Sequence, residues 1–520
     1  MNRINKLLLF LFHLAVLAVA VPHFSACSFF GGEPPNIILI SIDTLRHDRL
    51  GYVGHEPEGK SPSPFIDGLA AEGTVFTHAV STSSWTLPGH YALITGLPDE
   101  IHEMVDDVMP LNPKVKSMAQ YLKKQGYATG GFYSGPYLHN FFKFHRGFDI
   151  YESCMSSETM YDVLDFKGDR MTQAETENLV REKELASHLE ITSKAVAERS
   201  AWFVRTHKRK QFFLFMHFFD VHNDFIPPAP FNKRYARDYE GWVNGYGVMR
   251  DPRFKPDMDP EDLGRLKALY DGEISWVDHN LEWFFEEIRK SDPDILENTL
   301  VVFTADHGEE FFEHGRLGHR WNVHGESIRI PLFIHGPGLP SGKRIDDPVR
   351  IYDIFPTVVD LAGLPPAEGV YGRSVAPLIR GEKLEPEPVV SELTFIPSNQ
   401  QGADDVYHKH YAYQLGDLKL IGFQVRAWSK ENRLDFTGDV KEERIEIYNV
   451  REDPGETVNL AEKNPELSEQ VLARYYQEME RMKEHYVLIH GRGASEGKGL
   501  SAVEVPEHIR KQLEALGYLK

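Results

Sequence analysis

The chain has 520 residues, too many for one hydrophobic core, and this length predicts either a large domain with a satellite or about three domains. Its 41% apolar and 26% charged residues are ordinary for a folded globular protein, which excludes disorder, collagen and coiled coil. The 57 basic and 78 acidic residues leave a formal charge of −21; this excludes a general nucleic-acid binder, which needs a basic surface, but is compatible with a local positive pocket for an anionic substrate.

At the N-terminus, Arg3 and Lys6 precede an apolar run from Leu7 to Val21, interrupted by His13. Ser25 and Ala26 then lead into Cys27. This is the layout of a secretory signal peptide over residues 1–26. A cysteine directly after small residues resembles a bacterial lipoprotein signal, although Phe24 replaces the usual Leu. The expectation is an exported protein, in the periplasm or at the cell surface, held to a membrane by a lipid on Cys27. The alternatives are an ordinary signal or a short anchor. Cys154 is the second of two cysteines, so no disulfide framework is available to the mature chain.

Continuous apolar runs follow. Asn36 to Ile42 (NIILISI), Gln211 to Phe219 (QFFLFMHFF) and Thr299 to Thr304 (TLVVFT) predict buried strands, and Tyr127 to Ser134 and Ile328 to His335 are weaker candidates. Helical spacing appears at Val115–Leu122, at Pro260–Arg289 and at Asp353–Ala362, the last stopped by Gly363 with Pro365 and Pro366 behind it. Alternating strands and helices predict an α/β domain with a mostly parallel sheet over 35–390. From 391 to 487 the pattern changes to short strands, such as Asp417–Phe423 and Arg444–Val450, and a helix from Pro465 to about Tyr486. That predicts a small antiparallel sheet with one helix. Residues 488–520 hold a linker, GRGASEGKGLSA, and a terminal helix.

The three clearest strands deliver polar residues to one edge: Asp43, then Asp220 with His222 and Asp224, then Asp306 and His307. Ligands bind beyond the carboxyl ends of strands in open α/β sheets. Carboxylates plus an imidazole suit one divalent cation, Mn, Zn, Mg or Ca; the competing reading is helix caps and turn hydrogen bonds. For Asp220 and Asp224 the cap is favoured. In STSSWTLPGHYALITG (81–96), Pro88 suits a first helical turn. Thr86 therefore sits at a helix N-terminus, either as a cap or as a hydroxyl that a nearby cation turns into a nucleophile. His314 and His324 are expected at the surface, the His408–His410 run as a solvated stretch beside the C-terminal sheet, and EKELASHLE (182–190) as an exposed helix face.

From about Pro35 to Glu484 the chain resembles the sulfatase family of the alkaline-phosphatase superfamily. The resemblance is carried by PNIILISIDTLRHDRLGYVG (35–54), TLPGHYALITG (86–96), HFFDVH (217–222), NTLVVFTADHGEEFFEHG (298–315), GESIRIPLFIHGPG (325–338), DIFPTVVDLAGLP (353–365) and IYNVREDPGETVNL (447–460). It implies an alkaline-phosphatase-like central sheet flanked by helices. It also implies Asp43, Asp306 and His307 as metal ligands and Thr86 at the nucleophile position. Arg46, close to the metal turn, is expected to help hold an anion. His90 takes the place of the arginine that normally follows the nucleophile and is expected to bind substrate. His222 and His319 fall where the family binds substrate oxyanions or protonates the leaving group. The departures are specific. The family matures a Cys or Ser within C/S-x-P-x-R into formylglycine, whereas Thr86, Pro88 and His90 stand here; formylglycine is not expected. Thr44 replaces the usual second aspartate, and Asp306–His307 stands where calcium sulfatases often have Asp–Asn, which shifts preference towards manganese or zinc. The expected activity is cleavage of phosphate- or phosphonate-type esters, by hydrolysis or transfer, through Thr86. Alternatives are a sulfuric ester hydrolase working without formylglycine and a catalytically silent, surface-anchored binding protein. The expected substrate is a small-molecule, lipid or glycan ester.

Overall fold

A computed structural model describes residues 34–103, 110–156, 189–395, 406–427 and 440–491. The leader with Cys27, most of 153–185, nearly all of 182–190 and nearly all of the 488–520 tail lie outside the described residues. Among the described residues, no helix is long and apolar enough to cross a membrane.

The NIILISI run forms β1 (Asn36–Ile42), buried from Ile37 onward. Each fully buried Ile or Leu there stabilises by roughly 1.5–3 kcal/mol. The chain continues through β2 (Thr74–Val80), β3 (Ala128–Tyr133), β4 (Ile150–Ser153), β5 (Phe212–Phe218), β6 (Thr299–Ala305), the short ribbon β7 (Glu310–Phe311) and β8 (Leu317–Gly318), β9 (Arg329–His335), β10 (Lys343–Ile345) and β11 (Val349–Arg350). Nine of these make one sheet in the order β10-β2-β9-β6-β1-β5-β3-β4, with β11 also on β2. All pairings are parallel except those of β9 with β2 and β6. The reason lies in the connection. The segment after β6 stays at the sheet's carboxyl edge and enters β9 through a four-residue helix, Gly325–Ile328. Without a crossover back to the amino edge, the next strand has to run in reverse.

Six helices matter for the site: α1 (Pro64–Ala71), α2 (Thr86–Thr95), α3 (Met118–Lys124), α4 (Ser193–His207), α5 (Pro260–Ser291) and α6 (Ile354–Leu361). The longest, α5, follows its sequence rules. The Asp259 carboxylate accepts from Glu261 N, Pro260 occupies the first turn and Arg289 and Lys290 the last. Its apolar stripe of Leu266, Leu269, Ile274, Val277, Leu281, Phe284 and Ile288 is buried.

The antiparallel sheet near the C-terminus has four strands in sequence order, β12 (Val389–Phe395), β13 (Val406–Leu415), β14 (Leu418–Ala427) and β15 (Val440–Asn449), followed by α7 (Pro465–His490). Tyr475 of α7 stacks on Tyr411 of β13 at 4.3 Å. One expectation fails here. The His408–His410 run is not solvated but forms part of β13. Lys409 is 5% exposed and pairs at 2.9 Å with both Glu100 and Glu392. Two carboxylates compensate its desolvation, which is what permits a lysine inside a sheet–helix interface.

Candidate active site

The registers set the geometry. Ile42 of β1 lies opposite Phe218 of β5 and Ala305 of β6, so the residues that follow share the carboxyl edge. Asp43, Asp306 and His307 are each fully buried there, and their ligand atoms lie within 4.8 Å of one another. His307 Nε2 is 3.6 Å from Asp43 Oδ1 and 3.4 Å from Asp306 Oδ2.

α2 brings the hydroxyl. Thr86 is its first residue, and the preceding Trp85 provides no side-chain cap. Instead of capping, Thr86 Oγ1 faces Asp43 Oδ1 and Oδ2 at 3.5 and 3.4 Å and His307 Nε2 at 3.4 Å. The helix approaches this closely because residue 89 is glycine: a Cβ there would lie 2.8 Å from the Asp306 carbonyl oxygen.

The donor set fits a divalent ion. His307 Nδ1 lies 2.8 Å from the Gly308 carbonyl. A carbonyl only accepts, so Nδ1 carries a proton, and Nε2 is the nitrogen turned towards the two carboxylates. Asp306 Oδ2 is buried, and its contacts among the described residues are with the imidazoles of His90 and His307, at 3.2 and 3.4 Å. Burial raises the Asp43 carboxyl and Asp306 repels it, yet His217, His222 and His307 outweigh both and hold Asp43 below its ordinary range. Asp306 is likewise lowered against burial, by His307, His90 and His217. Two ionised carboxylates and an imidazole nitrogen converging at a buried point are a cation's environment.

Around them stand the other expected residues. His222 Nδ1 donates to the Asn223 carbonyl at 2.7 Å, and its ring is 4.9 Å from that of His319. The His319 ring is 4.7 Å from His307, and its Nδ1 lies 3.2 Å from Glu309 Oε2. Burial pushes Glu309 up to about 8 and holds His319 well below the ordinary imidazole range.

Two residues are placed differently from expectation. Arg46 does not face the cluster. It donates through Nε and Nη2 to Asp48 and through Nη1 to Glu309 O and Glu313. A guanidinium so committed, with 7% of its side chain exposed, buttresses the loop and is not available to an oxyanion. His90 is 0% exposed. Its Nδ1 lies 2.9 Å from Thr86 O and 3.2 Å from Asp306 Oδ2, and its Nε2 is 3.0 Å from Ser41 Oγ. Burial lowers this imidazole, but Asp306 more than reverses that and raises it. His90 therefore braces a ligand rather than touching substrate. Asp220 and Asp224 do cap, as expected. Asp220 accepts from Thr192 N and Ser193 N at the start of α4, and Asp224 accepts from Gly247 N and Val248 N.

Three contributors escape sequence reasoning. His217, the one imidazole in the apolar β5 run, sits 3.5 Å from Asp43 Oδ2. Ser41 anchors His90. Tyr270, on α5, donates to Thr44 O at 2.8 Å and accepts from Arg46 N at 2.9 Å. That clamp holds Thr44 at φ 54°, left-handed backbone that a β-branched residue adopts only under constraint. A polar side chain inside an otherwise apolar strand is the signal that could have found His217 and Ser41; Tyr270 carries none.

A mostly parallel sheet with a buried Asp, Asp, His cluster and a hydroxyl at its carboxyl edge is the framework of a metal-dependent ester hydrolase. The Sulfatase family profile matches residues 35–364, and the profile described as N-sulphoglucosamine sulphohydrolase, C-terminal, matches 312–485. The chain belongs to the sulfatase family and is a sulfatase-like ester hydrolase. Arylsulfatase K of Homo sapiens is 23% identical over 496 residues, 89% of this chain and 86% of its own. An arylsulfatase of Clostridium perfringens is 27% identical over 386 residues, 66% of this chain and 78% of its own. Among solved structures, the phosphonate monoester hydrolase of Agrobacterium radiobacter superposes with a TM-score of 0.63 at 20% identity, covering 87% of this chain and 96% of its own. A 2-O GAG sulfatase gives 0.63 at 19%, covering 87% and 94%.

Proposed function

We propose that this protein opens phosphate- or phosphonate-type esters with Thr86 as the nucleophile, as a hydrolase or a transferase. The observation that carries the reading is the Thr86 hydroxyl, 3.4 to 3.5 Å from the Asp43 carboxylate and 3.4 Å from His307 Nε2. A divalent ion, manganese or zinc in preference, bound by Asp43, Asp306 and His307 would lower the hydroxyl's pKa and offset the ester's negative charge. Thr86 Oγ forms a bond to phosphorus as the bond to the leaving oxygen breaks. The threonine proton goes to Asp43 or to water. His222 or His319 delivers a proton to the leaving oxygen, help worth ~10²–10⁴ in rate. Glu309, raised to about 8 by burial, donates its carboxyl proton to His319 Nδ1 across 3.2 Å, which leaves the proton of the neutral His319 ring on Nε2 for that delivery. Water or an alcohol then attacks phosphorus, and Thr86 recovers its proton as the covalent ester breaks.

Family membership and the arylsulfatase relatives favour a second reading, in which the same hydroxyl opens sulfate esters. Aryl phosphate, phosphodiester, phosphonate and sulfate substrates compared side by side decide between them, and two of the similar solved structures, both phosphonate monoester hydrolases, make phosphonates the first choice. The nucleophile is tested with Thr86→Ala, metal content monitored. The variant should keep its metal and lose at least ~10³ of turnover, the scale at which a covalent-catalysis residue matters. Full activity with metal retained would show that Thr86 is not the nucleophile. Metal-loaded wild type inactive on every substrate would favour a binding role.

A further inference from the structure

The segment that leaves the candidate active site carries a second set of metal-ligating side chains. It departs at His307, forms the β7–β8 ribbon and returns at Gly325–Ile328. Its return is tied to its departure: Gly308 N–H donates to Ser327 O at 2.9 Å and Glu309 N–H to Glu326 O at 3.1 Å. Within the loop that this tie closes lie His314, His324 and Glu326, whose ligand atoms fall within 4.8 Å of one another. None of them belongs to the Asp43, Asp306, His307 cluster.

His324 is the telling residue. It is 4% exposed, and neither ring nitrogen has a hydrogen-bond partner among the described residues. Nε2 has only a long contact with the Glu446 carboxylate, and leaving the buried Nδ1 unpaired costs roughly 1–3 kcal/mol. Its ring stacks on His314 at 3.6 Å and 12°, which sets the two nitrogen-bearing edges side by side. His314 Nδ1 lies 2.8 Å from Glu326 Oε1. From the other sheet, Glu446 of β15 brings Oε2 to 3.7 Å from His324 Nε2. Phe423 and Tyr448 of β14 and β15 wall the His324 ring at 6.2 and 6.1 Å.

We propose a second divalent-cation site, formed by His314, His324 and Glu326 with Glu446 as the fourth ligand, that takes a zinc-class ion and fastens the loop carrying His319 to the C-terminal sheet. Two imidazoles and two carboxylates are a donor set for zinc, and four protein ligands make a closed, structural site. An ion here takes one ring nitrogen of His324, and the stacked rings open as both turn to it. Its competitor is a proton shared between His314 and Glu326.

The test uses the full-length protein, loaded with zinc chloride, freed of loose metal and analysed for zinc per chain. Wild type should hold two ions, and Asp43→Asn/Asp306→Asn should hold one. Adding His324→Gln to that double variant should remove the last ion. Cobalt added to Asp43→Asn/Asp306→Asn should give the intense visible absorption of a tetrahedral site, independent of whether any His324 variant folds. One ion per wild-type chain, or no tetrahedral cobalt spectrum in the double variant, would mean a buried ion pair only and would overturn the proposal. Loss of activity in Thr86→Ala bears on neither result, so the two readings fail separately.

Discussion

His90 has no exposed surface, and its nitrogens are spent on Asp306, Thr86 O and Ser41. Removing such a brace loosens a ligand without touching the substrate. His90→Ala should therefore weaken metal binding by ~10–100-fold and leave KM unchanged once metal is saturating. A raised KM at full metal occupancy would return His90 to the substrate. Arg46→Gln tests the second reassignment. It strips the guanidinium from Asp48 and Glu313, both partly open to solvent, which should cost about 1–3 kcal/mol in a denaturant titration, with KM of the remaining folded enzyme little changed. The residues that hold the site fall into legible and illegible groups for a physical reason. Asp43, Asp306 and His307 stand out because a buried strand ends on them. Arg46 stands beside the metal turn in sequence, but nothing there tells which way a long side chain turns. His217 and Ser41 sit inside apolar runs and become functional only once β1 and β5 are paired in register.

At the scale of elements, the decisive contact is α2 against the end of β6. Gly89→Ala places a methyl group 2.8 Å from the Asp306 carbonyl; overpacking of this kind costs ~1–3 kcal/mol. The displaced helix should also carry Thr86 away from Asp43, so turnover should fall by more than stability alone explains. Unchanged turnover in the folded variant would contradict that geometry. A second contact joins α5 to α1, where Phe65 N and Ile66 N donate to Asp278 at 3.2 and 2.8 Å. Burial pushes this carboxyl up to about 7, against the pull of those two donors. Its folded pKa thus exceeds its unfolded value near 4, so its contribution to stability is full below ~4 and is lost as pH rises through about 7. Asp278→Asn should flatten the stability profile between those limits; an unchanged slope would show that the carboxyl titrates normally. Strand legibility followed composition. The runs of β1, β5 and β6 are continuously apolar, whereas β2 (TVFTHAV) and β13 (VYHKHYAYQL) hide behind internal polar residues. In β13 those residues find buried partners across an interface that sequence spacing does not show. Nor does spacing show that β9 runs in reverse, because direction depends on which edge the preceding loop occupies.

The whole molecule places a buried, cation-adapted cluster at one edge of a sulfatase-family sheet and closes the neighbouring loop against a second sheet. Its delivery to a membrane is a separate proposal, resting on the Leu7–Val21 run and Cys27. Expressed in bacteria, the wild type should enter the detergent phase on phase partition, and Cys27→Ser should move to the aqueous phase; a wild type found in the aqueous phase would leave the lipid without support. The account as a whole turns on where the covalent bond forms. Acid quench of the metal-loaded enzyme during turnover of an aryl phosphate, followed by peptide mass spectrometry, addresses that directly. The account predicts a phosphoryl group on Thr86, absent from Thr86→Ala. A phosphoryl group on any other residue, or steady turnover that leaves the Thr86 peptide unmodified at every quench time, would contradict it.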